Sequence, residues 1–305
     1  MNNIDYKHSI PESFQSRLIQ IAMCLFGMKH KTERKMISNG FAKEPAKIRD
    51  SLFKRFNIQE AEQDTRKIWT ISPVDGKSDL IILYFHGGAY MSSIIQGHWS
   101  LMEKLISKSG ATTVVPDYPL APETSCKETY DFIEDLFTRL ITEYPDKRIV
   151  FMGDSAGGGL ALGFTQQLRD ENKKQPEQII IFSPWLDVTM SNPLLQILDK
   201  EDNMLSIDGL KNAGRKYAAE LDLKDFRVSP VYGDLTGLCR ISLFTGTRDI
   251  LNADAQKFKQ RMKEQKIYFN YFEYPDMFHD WVIITSLKES LDVINKVDKL
   301  VNDYL

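Results

Sequence analysis

Arg148-Ile-Val-Phe-Met152 leads directly into Gly153-Asp154-Ser155-Ala156-Gly157, and a helix-like stretch follows from Gly158 to Arg169. An apolar run, a Gly-x-Ser-x-Gly turn and a helix form the context in which a serine occupies a sharp strand-to-helix bend, its hydroxyl exposed at the top of a sheet. The pentapeptide alone carries little weight, because short Gly/Ser patterns recur in ordinary turns. Its flanks give it weight, and they set a test for the rest of the chain: it must supply partners for Ser155 on loops at the same sheet edge.

Working outward, Leu80-Ile-Ile-Leu-Tyr-Phe85 is a continuous apolar run of the kind found in strands covered on both faces. Similar runs are Thr112 to Val115, Ile149 to Met152, Ile179 to Phe182, Ile241 to Phe244 and Tyr268 to Phe272, and Ile68 to Ser72 alternates like a strand. Helical patterns fall between most of them, at Ser100 to Lys108, Tyr130 to Tyr144, Leu160 to Glu171 and Asp254 to Lys263. Strands alternating with helices predict an α/β fold with a mostly parallel central sheet flanked by helices. Between Phe182 and Ile241 the rhythm breaks, with a helical pattern near Ser206 to Leu221; an insertion there is expected to cap the site.

At the N-terminus, Ser9-Ile-Pro-Glu12 reads as a capping box that opens a helix. Phe14, Leu18, Ile21, Ala22, Leu25 and Phe26 then recur at helical spacing, giving an amphipathic helix expected to pack on its own protein. A helix lying on a membrane surface is the lesser reading, because the basic residues Lys29, His30, Lys31, Arg34 and Lys35 follow the stripe and do not flank it. The apolar segment Leu18 to Met28 is too short to span a bilayer and lacks a small-residue cleavage site, so neither a stable membrane insertion nor a secretory signal is expected.

The 305 residues carry a net charge of −3 with scattered lysines, which argues against nucleic acid as a partner. Cys24, Cys126 and Cys239 are widely spaced and suggest neither a disulfide framework nor a zinc site. A cytoplasmic location is expected.

A serine hydroxyl needs an imidazole to take its proton and a third group to hold that imidazole in one tautomer. On this fold the chain order is Ser, then Asp or Glu, then His. Of five histidines only His279 follows the serine, in the turn-rich Tyr274-Pro-Asp-Met-Phe-His-Asp-Trp281 after the last apolar run. Asp249 follows the run Ile241 to Phe244 through Thr-Gly-Thr-Arg and is the expected acid. Asp254 suits a helix N-terminus better, and Asp276 and Asp280 read as solvated turn residues. His86-Gly87-Gly88-Ala89-Tyr90 directly follows a strand, and the glycine pair lets backbone N–H groups face a developing oxyanion, with the N–H of Ala156 as the other donor. No GxGxxG or GxxxxGK[ST] pattern supports a phosphate cradle.

With these pieces placed, the sequence resembles the hormone-sensitive-lipase-like family of α/β-hydrolase esterases, bacterial family IV. The match runs from about Asp79 to Trp281 through His86-Gly-Gly-Ala-Tyr90, Asp117-Tyr-Pro-Leu-Ala-Pro-Glu123, Gly153-Asp-Ser-Ala-Gly-Gly158, Ser183-Pro-Trp-Leu-Asp187, Ser229-Pro230, Asp249-Ile-Leu251 and His279. The resemblance implies an eight-stranded sheet and a helical cap built from residues 1–50 and an insertion at about 188–225, with the catalytic domain over 51–305. It implies hydrolysis of short- to medium-chain esters through an acyl-enzyme, with Ser155 as nucleophile, His279 as base then acid, Asp249 as its orienter, and Gly87, Gly88 and Ala156 lining the oxyanion hole. No cofactor or metal is implied, and family members often pair as homodimers through an edge strand. His86 is expected to organise its loop, and Asp117 and Glu123 to hold loops in place. Two positions depart from the family pattern: Ala89 replaces the usual third glycine, and Pro119 replaces an arginine whose loop contact must be supplied otherwise.

Amide hydrolysis or acyl transfer would use the same acyl-serine, and a ligand-binding or receptor-like protein on this fold is the alternative from another class. Leu18, Phe26, Met204, Leu205 and Tyr217 are candidates for the acyl-pocket wall. The acid limb of any activity is expected at the ordinary imidazole value, about pH 6 to 7.

Overall fold

The computed structural model describes residues 3–76 and 78–302. The N-terminal part contains strand β1 (Asp5–Lys7) and helices α1 (Phe14–Leu25), α2 (Met28–Ser38) and α3 (Asp50–Phe53). The antiparallel pair β2 (Phe56–Gln63) and β3 (Arg66–Pro73) follows, then β4 (Leu80–Phe85), α4 (Gln96–Ser109), β5 (Thr112–Pro116), α5 (Cys126–Glu143), β6 (Arg148–Asp154) and α6 (Ser155–Asp170). After β7 (Gln178–Phe182) come α7 (Leu195–Glu201) and α8 (Ile207–Ala218), then β8 (Arg240–Gly246), α9 (Asn252–Glu264), β9 (Asn270–Tyr274) and α10 (Lys288–Val301).

The strands form one nine-stranded sheet in the order β1-β9-β8-β7-β6-β4-β5-β3-β2. It is parallel from β1 to β5 and antiparallel from β5 through β3 to β2. The central strands are buried along their length, except at the first residues of β6 and β8, because successive side chains enter opposite layers. Ile81, Leu83, Phe85, Ile149, Phe151, Ile179 and Ile181 belong to one apolar layer. Leu80, Ile82, Tyr84, Val150, Met152, Ile180 and Phe182 belong to the other. That alternation is why these segments read as unbroken apolar runs.

The ninth strand is the departure from the eight implied by family resemblance. Asp5, Tyr6 and Lys7 pair in parallel with Tyr271, Phe272 and Glu273, so residues from the segment expected as cap join the sheet. Three mostly polar residues carry no periodicity; the open edge of β9 recruits them. Strand β9 itself begins two residues later than its apolar run suggests.

The first helix also starts later than expected, at Phe14 rather than near Ser9. Ser13 is the cap, its Oγ accepting from the Ser16 N–H at 3.2 Å. A tertiary contact fixes this start: the Ser13 N–H donates to Glu289 of α10 at 2.6 Å. Glu12 instead accepts from Gln20 Nε2 at 2.6 Å and Arg17 Nε at 3.0 Å. Helix α2 packs against α8 of the insertion, where Lys216 Nζ donates to the Met36 and Ile37 carbonyls.

Candidate active site

Ser155 sits between β6 and α6 with φ of +50°, the left-handed backbone of a sharp turn, and is almost fully buried. The turn is tight enough that a Cβ on Gly157 would lie 1.9 Å from the Phe85 carbonyl oxygen. Helix α6 therefore rests directly on the end of β4, beside the loop Gly87-Gly88. Ala156, the residue after the serine, lies in the first turn of α6, where backbone N–H groups have no intrahelical partner.

The structure brings the sequence-selected residues together. Ser155 Oγ lies 2.9 Å from His279 Nε2, and His279 Nδ1 lies 2.9 Å from Asp249 Oδ2. An ionised carboxylate only accepts, so Asp249 holds the ring proton on Nδ1 and leaves the Nε2 lone pair toward Ser155. Asp249 is itself held through Oδ1, which accepts the Leu251 N–H at 2.8 Å.

Asp280 corrects the sequence reading. It is buried, in left-handed backbone with φ of +53°, and its Oδ2 lies 3.1 Å from His279 Nε2. Burial pushes its carboxyl up to about 7 against the pull of His279. Burial alone would lower His279, but attraction to Asp249 and Asp280 outweighs it and raises the imidazole well above its ordinary value. The ring nitrogen that faces Ser155 thus faces a second acid as well. Asp276, by contrast, is only half-buried and pairs with Arg248 at 3.3 Å, as a turn residue can.

Asp202, from the insertion, is a further residue the sequence did not single out. Its Oδ2 accepts the Ile250 N–H at 2.9 Å, and its Oδ1 accepts the Met204 and Leu205 N–H groups at 2.7 Å. It therefore nails the insertion to the residue after Asp249. Burial, then repulsion from Asp249, raises its carboxyl to about 6. Asp254 lies in the first turn of α9, where it accepts from Asn192 Nδ2 at 3.0 Å rather than approaching His279.

The glycine loop is braced from below by Asp154. A Cβ on Gly87 would lie 2.2 Å from Asp154 Oδ2, and Gly88 adopts φ of +118°. Asp154 Oδ1 accepts from Tyr84 Oη at 2.5 Å, and Oδ2 lies 3.1 Å from His98 Nε2. The Ile95 N–H donates to His98 Nδ1 at 3.0 Å, so the proton of a neutral His98 is on Nε2 and points at Asp154. His86 organises its own loop: Nδ1 lies 2.7 Å from the Gly87 carbonyl, and the ring stacks on Tyr118 at 4.3 Å. Full burial pushes its pKa down to about 3, which removes it as a cation.

The loop departures are accommodated. Ala89 takes left-handed backbone at +55° without a glycine. Arg66 supplies the guanidinium that Pro119 cannot, donating to the Asp117 and Tyr118 carbonyls at 2.8 and 2.9 Å. Asp117 pairs with Arg66, and Glu123 with Lys43 at 2.8 Å. Tyr90, next in the loop, stacks face to face on Tyr217 of α8 at 3.6 Å, joining the glycine loop to the insertion. Of the proposed pocket residues, Leu205 and Tyr217 are buried in the core, whereas Leu18 and Phe26 face outward.

Among the described residues no three His, Cys, Asp or Glu side chains are grouped to hold a metal ion, and no helix is long and apolar enough to cross a membrane.

Comparison with known proteins agrees with this architecture. Residues 82–283 match a family described by the α/β-hydrolase fold. An esterase of Acinetobacter venetianus is 32% identical over 204 residues, 66% of this chain and 67% of that protein. An acetyl-hydrolase of Streptomyces hygroscopicus is 29% identical over 208 residues, 68% of this chain and 69% of that one. A Staphylococcus aureus protein described as an esterase superposes with a TM-score of 0.80 at 30% identity, covering 89% of this chain and 90% of that chain. A hormone-sensitive-lipase homologue from a metagenome library shares the fold with a TM-score of 0.80 at 24% identity, covering 96% of this chain and 99% of that one.

The chain belongs to the α/β-hydrolase fold family. Within it, the protein is an esterase, a carboxylic ester hydrolase.

Proposed function

We propose that the protein hydrolyses short- to medium-chain carboxylic esters through an acyl-enzyme formed on Ser155. The observation that carries this reading is the buried relay Ser155 Oγ, His279 Nε2, His279 Nδ1 and Asp249 Oδ2, with both contacts at 2.9 Å. Ser155 Oγ attacks the ester carbonyl carbon while its proton passes to His279 Nε2, and Asp249 stabilises the imidazolium. The oxyanion is met by backbone N–H groups of Gly87, Gly88 and Ala156, already oriented by the Asp154 brace and the start of α6. Collapse breaks the bond to the alcohol, which leaves with the proton from His279. A water molecule then gives a proton to His279 as it attacks the acyl carbon, and collapse breaks the acyl–Oγ bond while His279 returns that proton to Ser155 Oγ, releasing the acid.

The same reading makes the part of residues 1–50 that follows β1, together with about 188–225, a cap over a catalytic domain of residues 51–305 to whose sheet β1 is added. The packing of α2 on α8 supports it, as do the Asp202 contacts to residue 250. A cytoplasmic location is supported by three unpaired cysteines, Cys24, Cys126 and Cys239. A homodimer joined through the sheet edge beyond β9 would pair through β1, the outermost strand there.

The test is turnover of p-nitrophenyl esters of increasing chain length, with fluorophosphonate labelling of wild type and Ser155→Ala. Cleavage of acetate and butyrate esters, with labelling confined to Ser155, is expected. A wild-type protein that neither cleaves these esters nor takes the label overturns the proposal.

A further inference from the structure

Helix α1 is amphipathic with its faces reversed. Phe14, Leu18, Ile21 and Leu25, at the spacing of one helical stripe, are 74%, 48%, 54% and 78% exposed, and Phe26 continues them. The buried residues are Ser16, Gln20 and Met23. A helix folded only against its own protein turns the apolar stripe inward. Scattered exposed apolar residues are ordinary, but a contiguous stripe marks a surface that meets something else.

The polar face explains why the helix does not turn over. Gln20 Nε2 donates to the Asp276 carbonyl at 3.0 Å, and Arg248 Nη1 donates to Gln20 Oε1 at 3.3 Å. Ser16 Oγ lies 3.6 Å from Met277 Sδ, and Ser13 donates to Glu289 through both its N–H and its hydroxyl. These partners belong to the loops carrying Asp249 and His279 and to α10. The reversed helix is thus latched beside the candidate active site with its apolar side facing out.

We propose that α1 docks on an anionic lipid bilayer, lying in the interface with Phe14, Leu18, Ile21 and Leu25 among the acyl chains. Charge selects this occupant. Of the five Lys or Arg in residues 14–38, Arg17 is paired with Glu12 and Lys29 with Asp199, which leaves Lys31, Arg34 and Lys35 against the single Glu33, a net +2 on α2 in a chain whose total is −3. Exposed Lys31, Arg34 and Lys35 are suited to lipid phosphates. A second copy of this chain is disfavoured by the same charge, since a two-fold contact sets the patch against itself. The helix of 12 residues is about 18 Å long, too short to cross the hydrocarbon layer but suited to lying in its surface plane.

The experiment is co-sedimentation of the full chain with phosphatidylglycerol vesicles and with phosphatidylcholine vesicles, at low and high salt. Leu18→Ser/Leu25→Ser and Lys31→Glu/Arg34→Glu are compared with wild type, with thermal unfolding as the control for fold. Wild type is expected to bind phosphatidylglycerol in preference to phosphatidylcholine and to lose binding as salt rises. The double serine variant is expected to bind at least about tenfold more weakly at unchanged melting temperature, the order expected for apolar side chains withdrawn from lipid. The charge-reversal variant should lose the preference for phosphatidylglycerol. No binding to phosphatidylglycerol, binding unchanged in the folded serine variant, or a solution dimer that the serine substitutions dissolve would each overturn the proposal. None of these readouts depends on ester hydrolysis, so the docking and the proposed chemistry stand or fall separately.

Discussion

Asp280 Oδ2 lies 3.1 Å from His279 Nε2, the ring nitrogen that also faces Ser155 Oγ. A carboxylate at that position stabilises the imidazolium, the protonation state in which His279 cannot act as base. Its presence moves the expected acid limb of kcat/KM above the ordinary imidazole range assumed from sequence. Asp280→Asn removes the charge at nearly constant volume and is expected to move that midpoint down by about 1–3 pH units. An unmoved midpoint in a folded, active variant would show that Asp280 only packs the loop. The readout is a kcat/KM profile from pH 5 to pH 9.

The relay itself is tested by truncation. Ser155→Ala and His279→Ala are each expected to lower kcat by about 10⁴- to 10⁶-fold, and combining them should cost little more than either alone, because the two act as one unit. Asp249→Asn should also be severe, since an amide can donate to Nδ1 and so favour the wrong tautomer. Single-turnover kinetics with a p-nitrophenyl ester measures all three.

Gly87 has no space for a side chain, with a Cβ placed 2.2 Å from Asp154 Oδ2. Gly87→Ala should therefore displace the glycine loop from the buried Asp154–His98–Tyr84 cluster and misplace the proposed oxyanion donors. A fall in kcat of about 10²- to 10³-fold, with KM moved far less, is the expected result. A circular dichroism melt establishes that the variant remains folded.

Asp202→Ala leaves three backbone N–H groups without their acceptor, at a cost of about 1–3 kcal/mol where one stays dry. The wild-type carboxyl, raised to about 6, holds its proton more tightly folded than unfolded. Its contribution to stability is full below the ordinary carboxyl range and declines as pH rises through about 6. The stability gap between wild type and variant should therefore narrow from pH 4 to pH 7. Urea unfolding at several pH values measures it, and a gap that widens contradicts the assignment.

Much of the architecture was readable because its signals are local. Buried parallel strands leave continuous apolar runs, and the strand-turn-helix around Ser155 needs small residues at positions 153 and 157, where a Cβ would strike neighbouring backbone. Chain order then isolated His279, and proximity to a strand end selected Asp249; the structure sets both within hydrogen-bond reach. The start of α1 and the existence of β1 were not readable, since Glu289 and the edge of β9 decide them from more than two hundred residues away.

The sequence by itself determined the fold class, the strand that delivers the serine and the residue types available to activate it. Only the tertiary structure decided what those side chains face. Asp280 reads as a solvated turn residue and becomes a buried acid because its left-handed backbone and the surrounding packing place it against His279. Helix α1 has an apolar stripe that periodicity assigns to the core. Its polar side is instead latched by Asp276, Arg248 and Glu289, leaving the stripe outside: periodicity reports that a helix has two faces, and the partners it meets in space decide which one turns inward.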